Sequence, residues 1–260
     1  MNKTLAIYRK ELKHFFYSPI AYIAIAIFAL LAGYFFYVYL SSFVQASVMD
    51  AIRAQQYRTR PQNFNVNMQL IRPYFGFLAV ISLFILPLVT MRLYSEEKKA
   101  GTVELLYTTP VSVFSIVLGK FLAGITFYFL MLAPTMLFQA ILFIYGDPEL
   151  LPVLSGYLGL LLLGSAFIAG GLFISTLTEN QIIAAIGGFG LSLLLWVIGA
   201  GANYSGPGLA NILNYLSIIN HFQDFAQGVI DSQNVAYYIL FSAFGIYLSL
   251  KSVESTKWKA

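Results

Sequence analysis

Six stretches of the chain are apolar over about 20 residues, and they are separated by short polar segments. They are residues 20–43, 71–91, 113–145, 151–178, 181–203 and 233–250. A helix needs about 20 apolar residues to cross a hydrocarbon layer of about 30 Å. The runs are continuous, whereas a membrane β-barrel requires alternating segments. The pattern predicts an all-α polytopic membrane protein, with residues 1–260 forming a single transmembrane domain of six spanning helices.

The segments between these stretches carry their own patterns. In residues 1–18, apolar side chains recur at helical spacing and lysines occupy other faces, which predicts an interfacial elbow helix with its lysines near lipid phosphates. Pro19 suits a bend into the first span. Residues 44–70 are rich in Gln, Asn and Arg and are typical of a solvated loop. Residues 207–230 have an apolar helical stripe too short to span, which predicts one or two re-entrant helices on the outer side.

Composition and charge support a membrane protein and predict its orientation. Of the 260 residues, 59% are hydrophobic and only 10% are charged, against about a quarter charged in soluble domains. Eleven Lys and Arg residues lie on the side that holds both termini and residues 94–112, and four lie on the other side. Cytoplasmic loops hold the excess of positive charge, so both termini are predicted to be cytoplasmic. The basic residues are scattered along membrane boundaries and do not indicate nucleic-acid binding.

The sequence offers little for catalysis. The charged residues nearest to the spans, Arg72, Arg92 and Lys120, are expected to lie at span ends and to reach the interface. His14 and His221 are too isolated for a metal site, and serines such as Ser82 are expected to pack helices. Gly119-Lys120 lacks the glycine five positions earlier that a phosphate-binding loop requires. We therefore expect no enzyme activity and no cofactor in this chain, and energy for transport would come from another chain.

The charged stretch 94–112, YSEEKKAGTVELLYTTPVS, interrupts this apolar sequence. The second span is expected to continue through residues 92–99, with Glu96 and Glu97 in solvent, and to break at Gly101. A short helix would follow, with Thr102 as N-cap and Glu104 in the first turn, where the helix dipole favours a carboxylate. Its apolar face would consist of Val103, Leu106, Tyr107 and Pro110, and Ser112 would cap the third span. Such a helix is a rigid knob that fits a partner's groove.

Three segments resemble one family over nearly the whole chain. Residues 95–121, SEEKKAGTVELLYTTPVSVFSIVLGKF, resemble the cytoplasmic loop of ABC-2-type transporter permeases, most closely the gliding-motility-associated branch. YRKELKHFFYSPIAY at 8–22 is similar to that branch's elbow and first span, and INHFQDFAQGVID at 219–231 to its outer segment.

The resemblance implies a permease subunit in the bacterial inner membrane that docks a cytoplasmic ATP-binding subunit through the 94–112 loop. ATP and Mg²⁺ would be bound by that subunit. It also implies a second permease chain, identical or different, and an accessory protein outside the membrane. One alternative stays open from the sequence: a mechanical transmitter of the same fold that drives an outer partner and moves no substrate.

Overall fold

The chain is helical throughout the residues that the computed structural model describes, namely 3–60, 65–102, 111–146 and 148–257. The helices are α1 Lys3–Tyr17, α2 Pro19–Tyr57, α3 Arg72–Thr90, α4 Arg92–Lys99, α5 Val113–Tyr145, α6 Leu150–Leu177, α7 Gln181–Val197, α8 Pro207–Leu216, α9 Ile218–Ala226 and α10 Ser232–Lys257. A π-helical turn, Asn67–Ile71, leads into α3, and a 3-10 segment, Ile198–Tyr204, follows α7.

Within the described residues, six helices are long and apolar enough to cross a membrane, which confirms the predicted fold class. They correspond to the six predicted stretches, and their bounds differ most in the first. The prediction of a loop over residues 44–70 was wrong for 44–57, because α2 continues without interruption to Tyr57. Nothing between Gly33 and Pro61 breaks a helix, and α2 ends only at Arg58, whose φ of 51° is left-handed.

Helix α6 occupies the centre of the bundle and contacts α3, α4, α5, α7, α9 and α10. Its small residues allow this close packing. A Cβ on Gly164 would lie 2.2 Å from the Tyr128 ring, and one on Gly171 would lie 2.1 Å from Thr90 Oγ1. The Tyr128 hydroxyl lies 2.8 Å from Ser82 Oγ, so this serine does join two helices.

The predicted short outer helices are present as α8 and α9. Tyr238 of α10 donates to the Ile218 carbonyl at 2.7 Å, and Ser155 of α6 donates to the Phe225 carbonyl at 2.8 Å. The three aromatic and apolar side chains Ile218, Phe222 and Phe225 are buried. These contacts fix the pair of helices across one end of the bundle.

Helix α1 ends at Tyr17, two residues before Pro19, and Ser18 caps α2 by accepting a hydrogen bond from the Ile20 amide at 3.4 Å. The apolar side of α1 packs against α5, where Phe15 stacks on Phe127 with ring centroids 4.9 Å apart. Tyr8 also bonds Thr126 of α5 at 3.1 Å. Much of the stripe expected to face lipid therefore faces protein.

Candidate coupling site

The helical segment is interrupted at Met91, where α3 gives way to α4 at one end of the bundle. Pro87 lies in the last turn of α3 and has no amide hydrogen to donate. Met91 separates the two helices. The first amide groups of a helix have no carbonyl partner within that helix, so those of α4 need acceptors from elsewhere.

Ser175, near the end of α6, supplies that acceptor. Its Oγ accepts hydrogen bonds from the amides of Tyr94 at 2.9 Å and Ser95 at 3.0 Å. The same hydroxyl donates to the Met91 carbonyl at 3.2 Å. One buried side chain thus bonds backbone groups of the chain around the interruption at Met91, and it ties α4 to the central helix.

Two further contacts strengthen this attachment of α4. Lys98 Nζ donates to the carbonyl of Thr176, the next residue of α6, at 2.6 Å. The hydroxyl of Ser95 donates to the Met91 carbonyl within the same turn. Helix α4 is therefore held at its start and near its end, and it must move together with the end of α6.

On its other side, α4 joins a cluster of four charged residues from three helices, which we call the charge cluster: Lys10 and Glu11 of α1, Glu97 of α4 and Lys120 of α5. Lys120 Nζ lies 3.1 Å from Glu11 Oε1 and 2.9 Å from Glu97 Oε2. Lys10 Nζ lies 2.9 Å from Glu97 Oε1. The Lys120 side chain is 1% exposed and that of Glu11 is 6% exposed. Each lysine lies close to both carboxylates.

The cluster is electrically balanced, with two positive and two negative side chains. Burial lowers the pKa of Lys10, but its hydrogen bond to Glu97 and the nearby carboxylates of Glu97 and Glu11 outweigh this and raise that pKa above its ordinary value. Lys10 therefore stays protonated at neutral pH. Pairs of this kind hold registry between elements, because removing one partner leaves an uncompensated buried charge.

The described part of the 94–112 loop follows the predicted order. Helix α4 ends at Lys99, and Gly101 has a φ of 67°, so it breaks the helix where the sequence predicts. Thr102 was predicted as the N-cap of the next helix, but it is itself helical, and its hydroxyl donates to the Glu97 carbonyl at 3.3 Å. On the far side, Ser112 caps α5 by accepting from the Ser115 amide at 3.2 Å, as predicted. The rest of the predicted docking surface, namely Val103, Glu104, Leu106, Tyr107 and Pro110, lies outside the described residues.

Two expectations about charge were wrong. Glu97 was expected in solvent with Glu96, but its side chain is only 17% exposed, because it enters the charge cluster. Glu96 is more exposed, at 38%, and lies 3.7 Å from His14 Nε2. Lys120 was expected to reach the interface, but it points into the contact between α1 and α5, where Glu11 neutralises it.

Sequence reasoning did not identify Glu11, Lys120 or Ser175 as functional residues. A signal existed for Lys120, since a lone lysine beside a long apolar run requires an anionic partner if it is buried. Glu11 and Glu97 lie 109 and 23 residues away from it by position in the chain, and no local spacing links them. Ser175 carried no signal, because a serine in an apolar helix most often bonds its own backbone.

A comparison with known protein families matches a range of the chain that contains all of these elements. Residues 5–251 match the family model described as "ABC-2 family transporter protein". This range begins within α1 and ends within α10, so it includes the charge cluster, the interruption at Met91 and the short helices α8 and α9. A comparison with curated proteins found no match.

Proposed function

We propose a mechanism for this chain from one premise: it belongs to the ABC-2 family of transporter proteins, and is a membrane-spanning permease subunit of an ABC transporter. The proposed activity is to couple ATP hydrolysis by a separate cytoplasmic subunit to export or to another rearrangement across the membrane. ATP and Mg²⁺ would be bound by that ATP-binding subunit.

The observation that carries this mechanism is the attachment of α4. The 94–112 loop emerges from a helix that is bonded to α6 through Ser175 and to α1 and α5 through Glu97. A push on the loop would therefore reach the central helix and the first helix directly. We propose that Glu96, Gly101, Thr102, Val103, Glu104, Leu106, Tyr107 and Pro110 form the docking surface, and that Glu97 anchors it to the bundle.

The proposed orientation places this end of the bundle in the cytoplasm. The charge cluster brings Lys10 and Lys120 to the same end as Lys98, which supports the positive-inside assignment. Both termini would then be cytoplasmic and α8 and α9 would face outward. We place the protein in the bacterial inner membrane, paired with a second permease chain and an outer accessory protein. Its resemblance to the gliding-motility-associated branch supports a place in that branch.

The docking surface can be tested with one substitution and a matched control. Leu106→Asp would place a charge in a groove that excludes water, and an uncompensated buried charge costs about 3–5 kcal/mol. A tenfold loss of affinity requires only about 1.4 kcal/mol, so the variant should lose the ATP-binding subunit. Lys99→Glu should have a much smaller effect, because exposed ion pairs contribute about 0–1 kcal/mol.

The measurement is pulldown of the ATP-binding subunit from detergent extracts containing each variant. Both variants should reach the membrane at wild-type levels, since the loop lies outside the lipid in the proposed topology. Retention of the ATP-binding subunit by Leu106→Asp at the wild-type level would rule out the apolar face as the docking surface.

A further inference from the structure

A cavity of about 240 Å³ lies where α1, α2 and α3 meet, next to the charge cluster. Apolar side chains supply most of its wall. Those from α2 and α3 are Ile20, Ala21, Ile23, Ala24, Ile27, Ile85, Leu88 and Val89. Ile20, Ile23, Ile27 and Leu88 are each about half exposed, so the cavity opens sideways, towards the surface that lipid covers.

The polar residues of the wall gather at one end, where α1 turns into α2 and α3 ends. They are Glu11, His14, Ser18 and Arg92. The apolar residues of α2 continue from this end for two turns into the bundle. The cavity is thus amphipathic along its length, with a polar end at the predicted membrane surface.

Arg92 is the residue in this wall whose charge is least satisfied. A guanidinium group carries five N–H donors. Among the described residues, Arg92 Nη1 reaches Ser18 Oγ at 3.5 Å, and Nε is buried without a hydrogen-bond partner. Of the nearby carboxylates, Glu11 is held by Lys120. Glu96 Oε1 lies 3.7 Å from His14 Nε2, and Glu96 Oε2 is buried without a hydrogen-bond partner.

A second, shallower groove continues from the same end. It is lined by Ala6, Arg9, Lys10, Lys13, His14 and Tyr17, all from α1. His14 belongs to both walls. An apolar chain in the cavity would therefore leave its polar end between Arg92 and a row of basic side chains.

We propose that the cavity binds a membrane phospholipid with an anionic headgroup. One acyl chain would occupy the apolar cavity, the phosphate would accept hydrogen bonds from Arg92, and the rest of the headgroup would lie along the basic groove of α1. Charge complementarity favours a lipid of this class, because an anion supplies an acceptor for the buried Nε of Arg92 and neutralises its charge. The lipid would bridge α1, α2 and α3 beside the charge cluster, as a bound structural lipid and separate from any transported substrate.

This inference rests on the proposed placement of α1 at the cytoplasmic membrane surface. It does not rest on the docking surface around Leu106. Lipid binding and capture of the ATP-binding subunit are measured separately, so a failure of one is distinguishable from a failure of the other.

The test is native mass spectrometry of the full-length chain, extracted in mild detergent with its subunits and titrated with phosphatidylglycerol or phosphatidylcholine. The wild type should bind phosphatidylglycerol with a Kd at least about tenfold lower than phosphatidylcholine, a ratio that corresponds to about 1.4 kcal/mol. Arg92→Gln should abolish this preference. Arg72→Gln, at the opposite end of α3, should keep it.

A second pair of variants tests the cavity itself. Ala24→Phe fills it and should weaken binding of both lipids, whereas Ala26→Phe, an exposed position of the same helix outside the cavity wall, should not. This pair decides the question even if Arg92→Gln does not fold.

Three outcomes would overturn the proposal. In the first, the two lipids bind equally to the wild type. In the second, Arg92→Gln keeps the wild-type preference, and in the third, Ala24→Phe binds lipid as the wild type does. If Ala24→Phe released a copurifying polypeptide and left lipid binding unchanged, the cavity would be assigned to a protein partner.

Discussion

Lys120 Nζ lies 3.1 Å from the Glu11 carboxylate, and the two side chains are almost completely buried between α5 and α1. Glu97 joins the same ammonium group at 2.9 Å. The cluster therefore connects the first helix, the third span and the helix that carries the proposed docking loop.

Lys120→Met should destabilise the protein strongly, because it leaves the carboxylates of Glu11 and Glu97 buried with only Lys10 to neutralise them. Breaking a buried pair costs about 3–5 kcal/mol. The thermal unfolding midpoint in detergent should fall, whereas Lys13→Met, an exposed lysine of α1, should leave it nearly unchanged. Equal midpoints for the two variants would contradict a buried cluster.

A double variant tests the interaction between Lys120 and Glu11 by itself. Adding Glu11→Gln to Lys120→Met removes the stranded carboxylate, so the double variant should be more stable than Lys120→Met alone. The coupling from the four unfolding midpoints should be favourable to the native pair. A double variant as unstable as the sum of the single variants would show that the two residues act independently.

Ser175→Ala should weaken the attachment of α4 to α6. It leaves the buried amides of Tyr94 and Ser95 without their acceptor, at a cost of about 1–3 kcal/mol. The change that the permease causes in the rate of ATP hydrolysis should become smaller, while the ATP-binding subunit still copurifies. Ser249→Ala is the matched control, because that hydroxyl bonds the Gly245 carbonyl of its own helix. If Ser175→Ala changed the rate of ATP hydrolysis as much as the wild-type permease does, transmission through this contact would be ruled out.

Gly164→Ala should destabilise the bundle, since the added methyl would meet the buried ring of Tyr128. Overpacking of this kind costs about 1–3 kcal/mol. Gly190→Ala is the control, because a Cβ there has nothing within 4 Å. The readout is the unfolding midpoint of each variant, and a midpoint unchanged by Gly164→Ala would show that α5 and α6 are less tightly packed than the structure has them.

The proposed topology predicts the labelling of single cysteines, which is clean because the chain has none of its own. An impermeant thiol reagent applied to intact cells should modify cysteines at Gly208 and Ser232. It should modify cysteines at Lys13 and Ser255 only after permeabilisation. Labelling of only one position of the outer pair would indicate a further crossing between α8 and α10.

The sequence by itself determined the parts of this protein that depend on local pattern. Six apolar runs predict six spanning helices, because the thickness of a membrane sets the length of a span. Pro19, Gly101 and Ser112 mark helix ends that the structure confirms, since each acts on its own backbone. The sequence also indicates the family, through the charged loop and the segments at 8–22 and 219–231.

Only the tertiary structure decided which charges are buried and which helices they join. Lys120 looks like an interfacial lysine until α1 brings Glu11 against it, and Glu97 looks solvated until the packing of α1 against α4 places Lys10 beside it. The role of Ser175 likewise depends on neighbours that are distant in the chain. The reason is physical: a side chain's burial and partners are properties of packed helices, and no periodicity within one segment encodes the residue that another segment places beside it.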